Sequence, residues 1–177
     1  YFILEVSADL RARQEEHLAR LAAPLAARVV WLDRLPATPL AGVLLANEVL
    51  DALPCERFVM RAGRARRLGV GVDAGGTLCE VELAGDIPLP AGLAADALPE
   101  AYRGELCPLL AAWIASLAAS LDRGLVLAID YGLPRAALYH AGRTSGTLQC
   151  HFRHRAHGDP FVNVGLQDIT AWVDFTA

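Results

Sequence analysis

Four short apolar runs constrain this chain more than anything else in it: 1–6 (YFILEV), 29–32 (VVWL), 42–46 (GVLLA) and 125–129 (LVLAI). Each is too short for a buried helix and of the right length for a buried strand. Three of the four carry acids or amides at their exits: Glu5, then Asn47 and Glu48 with Asp51 close behind, then Asp130. Helical patterns separate the runs, so the order predicts an α/β fold with a mostly parallel sheet covered by helices. Ligands of such sheets bind at the carboxyl ends of the strands, where these acids and amides gather.

The intervening segments fill in this outline. Ser7 is placed to cap a helix, because its hydroxyl can accept a bond from an unpaired amide of the first turn. Leu10, His17, Leu18, Leu21 and Leu25 fall near one helical face, Glu16 and Arg20 stand at i,i+4 spacing, and Pro24 lies near the helix end. Pro36 and Pro39 mark a loop. From about residue 56 to 84 the pattern changes to short alternating runs joined by Gly- and Arg-rich turns, which predicts an antiparallel β insertion. GVGVDAGG (69–76) is read as a turn, since a dinucleotide loop must open a helix and this one precedes a strand-like run. Leu109, Leu110, Trp113, Leu117 and Leu121 predict a helix over 105–121, ended by Gly124.

With 177 residues, 54% of them apolar, the chain has the material for one sizeable core. A net charge of -4 argues against broad affinity for nucleic acid, and no apolar run approaches a membrane span. Every basic residue is Arg and Ala is abundant, a composition of GC-rich bacterial coding. Cys55, Cys79, Cys107 and Cys150 are widely spaced, which excludes a zinc ribbon or a disulfide framework and suits free thiols in the cytoplasm. His151, His154 and His157 form HxxHxxH. Positions i, i+3 and i+6 share no single face of a helix or strand, so no metal site is expected.

Five segments, in order, resemble the MidA-type methyltransferases, whose mitochondrial members act in respiratory complex I assembly. They are YFILEVSADLRARQ (1–14), ANEVLDALP (46–54), AIDYGLPRAALYH (128–140), GTLQCHFRHRAHGDPF (146–161) and GLQDITAWVDF (165–175). The resemblance implies a class I, Rossmann-like fold that uses S-adenosyl-L-methionine. It also implies that the chain is the central part of one methyltransferase domain, incomplete at both ends. The family's first strand and Gly-rich loop belong to a longer N-terminal region.

The resemblance assigns roles residue by residue, each beside a structural alternative. Glu5 is implied in cofactor binding through the ribose hydroxyls, with Ser7 and Asn47 beside it; the alternative for Glu5 is capping of the next helix. Glu48 and Asp51 are implied as catalytic, since carboxylates can grip and polarise a guanidinium; the alternative is a helix first turn capped by Asn47. Asp130 and Tyr131 are implied on the substrate side of the cleft, or else form a structural pair. His154 and His157 belong to a loop implied to meet substrate. His17 and His140 are expected to be surface or structural residues.

The function expected is methyl transfer to a protein side chain, arginine being one candidate, in a bacterial cytoplasm; a mitochondrial location would apply only to a eukaryotic relative. No nucleic-acid partner and no membrane insertion are expected. Two alternatives stay open: a non-catalytic assembly protein that retains the fold, with Arg61, Arg64, Arg66 and Arg67 as a docking patch, and a small-molecule methyltransferase with a closed apolar pocket.

Overall fold

The computed structural model describes residues 1–21 and 23–177. The chain divides into two compact units, one built from residues 1–44 and 115–126, the other from 45–114 and 127–177.

In the first unit, β1 (Phe2–Leu4) leads into α1 (Ala8–Leu21), then α2 (Ala23–Ala26) and β2 (Val30–Leu32). β1 and β2 pair in parallel, Ile3 opposite Trp31, as the helix between them requires. Ser7 does cap α1, its Oγ accepting the Leu10 amide at 3.3 Å. The helix is braced by Arg11–Glu15 and Arg13–Asp9 ion pairs rather than by the expected Glu16–Arg20 pair. This unit also holds the first parts of β3 (Leu40–Asn47) and β8 (Leu121–Ile129), which pair with each other. Leu40 donates to the Ser120 carbonyl and Glu48 to that of Ile129, so the partner advances with the chain and the pair is parallel. Gly124 does not end a helix. It lies inside β8, where a Cβ would sit 1.7 Å from the Gly42 carbonyl oxygen, so only glycine permits the approach.

The second unit is organised by a four-stranded antiparallel sheet in the order β6-β5-β4-β7. Its strands are β4 (Glu56–Arg61), β5 (Arg64–Val72), β6 (Leu78–Asp86) and β7 (Arg103–Leu106). The expected insertion is therefore present, but it reaches past residue 84 to include β7. Residues 105–106 are strand, not helix: Tyr102, Leu106 and Phe58 fill the core beneath the sheet, and this outweighs the local helical spacing. The helix itself, α3 (Leu110–Ala119), starts only after Pro108.

Beyond β8 come β9 (Gly132–Leu133), α4 (Arg135–Leu138), β10 (Gln149–Phe152), β11 (Arg155–His157), β12 (Asp168–Thr170) and β13 (Val173–Asp174). β9 pairs in parallel with β13, and β10 pairs antiparallel with β11 and β12. Among the described residues the parallel ladders are two-stranded, one isolated parallel bridge joins Arg103 and Ser145, and both larger sheets are antiparallel, where a mostly parallel sheet was expected.

The core of this unit packs Phe58, Met60, Tyr102 and Leu106 against Leu138 and Tyr139, while Leu50, Leu110 and Val173 form a smaller cluster. On the opposite face of β4 and β7 from Phe58, buried Glu105 binds Arg57 at 3.4 Å and takes the Thr147 amide at 2.7 Å. Arg57 and Arg103 both reach Glu80, closing a charged ladder across the sheet. Gly146 follows from this: a Cβ there would meet both Glu105 carboxylate oxygens at 2.5 Å. Glu105→Ala leaves the Thr147 amide without its acceptor and Arg57 with Glu80 alone. It is expected to lower unfolding free energy by about 3 kcal/mol, measured by urea denaturation.

Candidate functional site

Two acceptor-rich clusters stand at strand exits, one in each unit. In the first unit, Glu5 follows β1 and is half-buried. Its Oε1 accepts the Ser7 amide at 2.8 Å, which is the capping role, and its Oε2 accepts Gln14 Nε2 at 3.3 Å. Gln14 Oε1 is buried and has no hydrogen-bond partner among the described residues. An unpaired buried acceptor costs free energy, so a donor at this corner would be stabilising. Ser7 spends its hydroxyl on the helix cap. Nothing in the sequence marks Gln14, because a glutamine mid-helix carries no local signal.

In the second unit, the turn after β3 carries the acids. Asn47 is exposed at the strand's last position, and Glu48 adopts a left-handed φ of 49° that costs a non-glycine residue free energy. Asp130 closes this turn from β8: its Oδ2 accepts the amides of Val49, Leu50 and Asp51 at 3.1, 2.7 and 3.3 Å. Its Oδ1 accepts the Tyr131 amide at 2.8 Å. Both oxygens are thus engaged by backbone amides. The Tyr131 side chain is largely exposed. No helix forms over 48–54, which leaves Glu48 and Asp51 without the capping task that rivalled the catalytic one.

Asp51 is only 8% exposed. Burial raises its pKa above 3.8, and the nearby charges of Asp130, Asp168 and Glu48 raise it further, while the Ala52 amide opposes them. Asp168 was not anticipated; it opens β12, a strand that the sequence pattern shows only as part of a loop-like stretch.

Asp51 lies on the wall of two cavities, of about 320 and 520 Å³. They share Asp51, Leu53, Cys55, Glu56, Arg67 and Ala171. The smaller also meets Trp172 and the Arg135–Asp174 ion pair, held at 2.7 Å. Arg143 stacks 4.8 Å over the Trp172 ring. The larger is walled by Val70, Leu78, Phe161 and Val164.

The histidines separate. His151 and His157 point to opposite sides of the β10–β11 hairpin, since Cys150 pairs with His157 and His151 with Ala156. His154 is exposed at the hairpin tip, where Arg153 and His154 both have positive φ. His157 Nδ1 accepts the Asp159 amide at 3.3 Å, and its buried Nε2 has no partner among the described residues. Arg61, Arg64, Arg66 and Arg67 are paired with Glu82, Asp86 and Glu56 on the sheet surface, so the basic patch is neutralised in place. No helix among the described residues is long and apolar enough to cross a membrane.

The family model described as "Putative S-adenosyl-L-methionine-dependent methyltransferase" matches residues 1–177. The chain belongs to this family. Among curated proteins none matches. A crystal structure of a superfamily member from Burkholderia thailandensis is 43% identical, with a TM-score of 0.87 over 99% of this chain and 47% of that one. A second structure from Burkholderia thailandensis, described as a "likely methyl transferase" bound to S-adenosyl-homocysteine, is 43% identical with a TM-score of 0.85. It is covered over 46% of its length by 99% of this chain. The chain thus spans a little under half the length of these two structures.

The Asp51 environment has a consequence for stability. An acid whose native pKa lies above its unfolded value holds its proton more tightly when folded. Its stabilising contribution is complete below the unfolded pKa and is lost as pH rises through the native pKa. Asp51→Asn keeps the acceptor for Ala52 and removes the charge. The stability of Asp51→Asn relative to wild type is expected to rise as pH increases from 3.8 through the raised pKa, then level off. Urea midpoints collected across that range check it.

Proposed function

We propose that the chain is part of a class I, Rossmann-like methyltransferase of the MidA type that binds S-adenosyl-L-methionine and methylates a nitrogen of a protein side chain, arginine being the candidate. The observation that carries this reading is the Glu5–Gln14 corner. A ribose offers two hydroxyl donors; the Glu5 carboxylate and the unpaired Gln14 amide oxygen are acceptors at the carboxyl end of a parallel strand, where nucleosides bind. The S-adenosyl-homocysteine bound to the Burkholderia thailandensis relative supports the same ligand class.

When bound, the cofactor supplies an electrophilic methyl group on sulfur. Glu5 and Gln14 would hold its ribose. At the β3 exit, Asp51 and Glu48 would hold the acceptor nitrogen, with Asp130 keeping their turn in place. A carboxylate whose pKa is raised is a stronger base than an exposed one, so Asp51 would be the group that receives the proton the nitrogen loses. A planar guanidinium suits a site with more than one carboxylate.

One observation favours a second reading, a small apolar acceptor: the larger cavity beside Asp51 is walled mainly by Val70, Leu78, Phe161, Val164 and Ile169. Transfer of labelled methyl groups to arginine peptides rather than to apolar amines would decide between them.

Calorimetric titration of S-adenosyl-homocysteine tests the cofactor site. Glu5→Ala is expected to weaken binding by about 2 kcal/mol, roughly thirtyfold, and Gln14→Ala by about tenfold. Absence of binding to the wild type at millimolar ligand would remove the catalytic reading.

A further inference from the structure

We propose that Cys55 and Cys107 are a dithiol site in the wall of the smaller cavity, oxidised by a peroxide to a reversible cross-strand disulfide. The proposal does not depend on the methyltransferase reading. It starts from register. In the β4–β7 ladder, Glu56 is opposite Leu106 and Arg57 opposite Glu105; Cys55 and Cys107 flank the last pair, and the same register continued one step would set them opposite each other.

The step also has the right character. Met60 donates its amide to the Tyr102 carbonyl at 2.8 Å, so the pair 60/102 is of the hydrogen-bonded kind. Alternation makes 57/105 and 55/107 non-hydrogen-bonded pairs, whose Cα atoms stand about 4.5 Å apart. That lies within the roughly 4.4–6.8 Å span that a disulfide bridges without backbone movement. The Arg57–Glu105 ion pair fixes the face that both thiols share, because residues two apart on a strand point the same way.

Cys55 and Cys107 are partly exposed, unlike Cys150, which is fully buried. Both line the cavity that also holds Asp51. They sense each other: burial chiefly pushes the Cys55 thiol up to about 11, and Glu105 and Cys107 are among the charges that add to it. Cys107 is also raised by burial, but the amides of Leu109 and Leu110 at the start of α3 counteract the shift.

The chemistry balances with hydrogen peroxide as the oxidant. The Cys107 sulfur attacks one peroxide oxygen, the O–O bond breaks, and the departing hydroxide leaves with the thiol proton as water. The sulfenic acid so formed is attacked by the Cys55 sulfur, forming the S–S bond and releasing a second water. Two thiols lose two electrons and the peroxide gains them.

Peroxide treatment of the whole chain, followed by thiol counting in denaturant and peptide mass mapping, tests the proposal. The expected result is loss of two of the four thiols together, a Cys55–Cys107 cross-linked peptide, and full recovery with dithiothreitol. The oxidised protein should melt about 5–10 °C higher, because the bridge closes a long loop of the unfolded chain. Cys55→Ala and Cys107→Ala, checked for native circular dichroism, should each abolish the cross-link and the shift. A cross-link through Cys79 or Cys150, thiol loss without a cross-link, or an unchanged thiol count would overturn it.

Discussion

One carboxylate organises the exit of β3. Asp130 stands at the end of β8, and three consecutive amides of the neighbouring turn converge on its Oδ2. An anion satisfying a nest of backbone donors is among the stronger arrangements a loop can have, because each bond is charge-assisted. The turn is stabilised by it in a shape that local propensity would not choose. Glu48 takes a left-handed φ, and Asp51 is carried into a buried position beside three other acids. Remove the acceptor and the free amides, the left-handed residue and the acidic crowding all push the turn toward another conformation.

The acidic crowding is a cost the fold bears locally. Asp51 is buried next to like charge, an arrangement that structural packing alone would not favour. Elsewhere in the same unit buried charge is matched: Glu105 has Arg57, Asp174 has Arg135, and Glu80 has two arginines. The contrast marks the β3 exit as a place where stability was given up, and such places collect at functional sites.

What the sequence made legible follows from how local each signal is. The strand–helix–strand start was visible because apolar runs and a Ser cap are local features, and the insertion was visible because Arg- and Gly-rich turns break up alternating runs. β7 was not. Residues 103–106 share their spacing with the helix that follows, and only the contact of Tyr102 and Leu106 with the Phe58 core decides for strand. The β10–β11 hairpin was hidden for a different reason: its tip uses Arg153 and His154 at positive φ, where glycine or asparagine is the usual cue. At the site, the acids were read from strand exits, but the division of labour among them was not. Whether Asp130 faces a ligand or a set of amides depends on residues some eighty positions away.

Gln14 makes the same point in reverse. In sequence it is one polar residue on an exposed helix face, interchangeable with its neighbours. In the structure its amide nitrogen is tied to Glu5, which fixes the orientation of the group and leaves its oxygen a buried acceptor with no donor among the described residues. Glu5 could have been placed at that strand end simply to cap α1, and Ser7 shows that it does so. A cap, however, uses one carboxylate oxygen and explains no glutamine. The second oxygen, drawn into a pair with Gln14, leaves that end of the strand with an acceptor that no donor among the described residues meets. On the proposed reading, the hydroxyls of a nucleoside sugar at the end of a parallel strand would supply that donor.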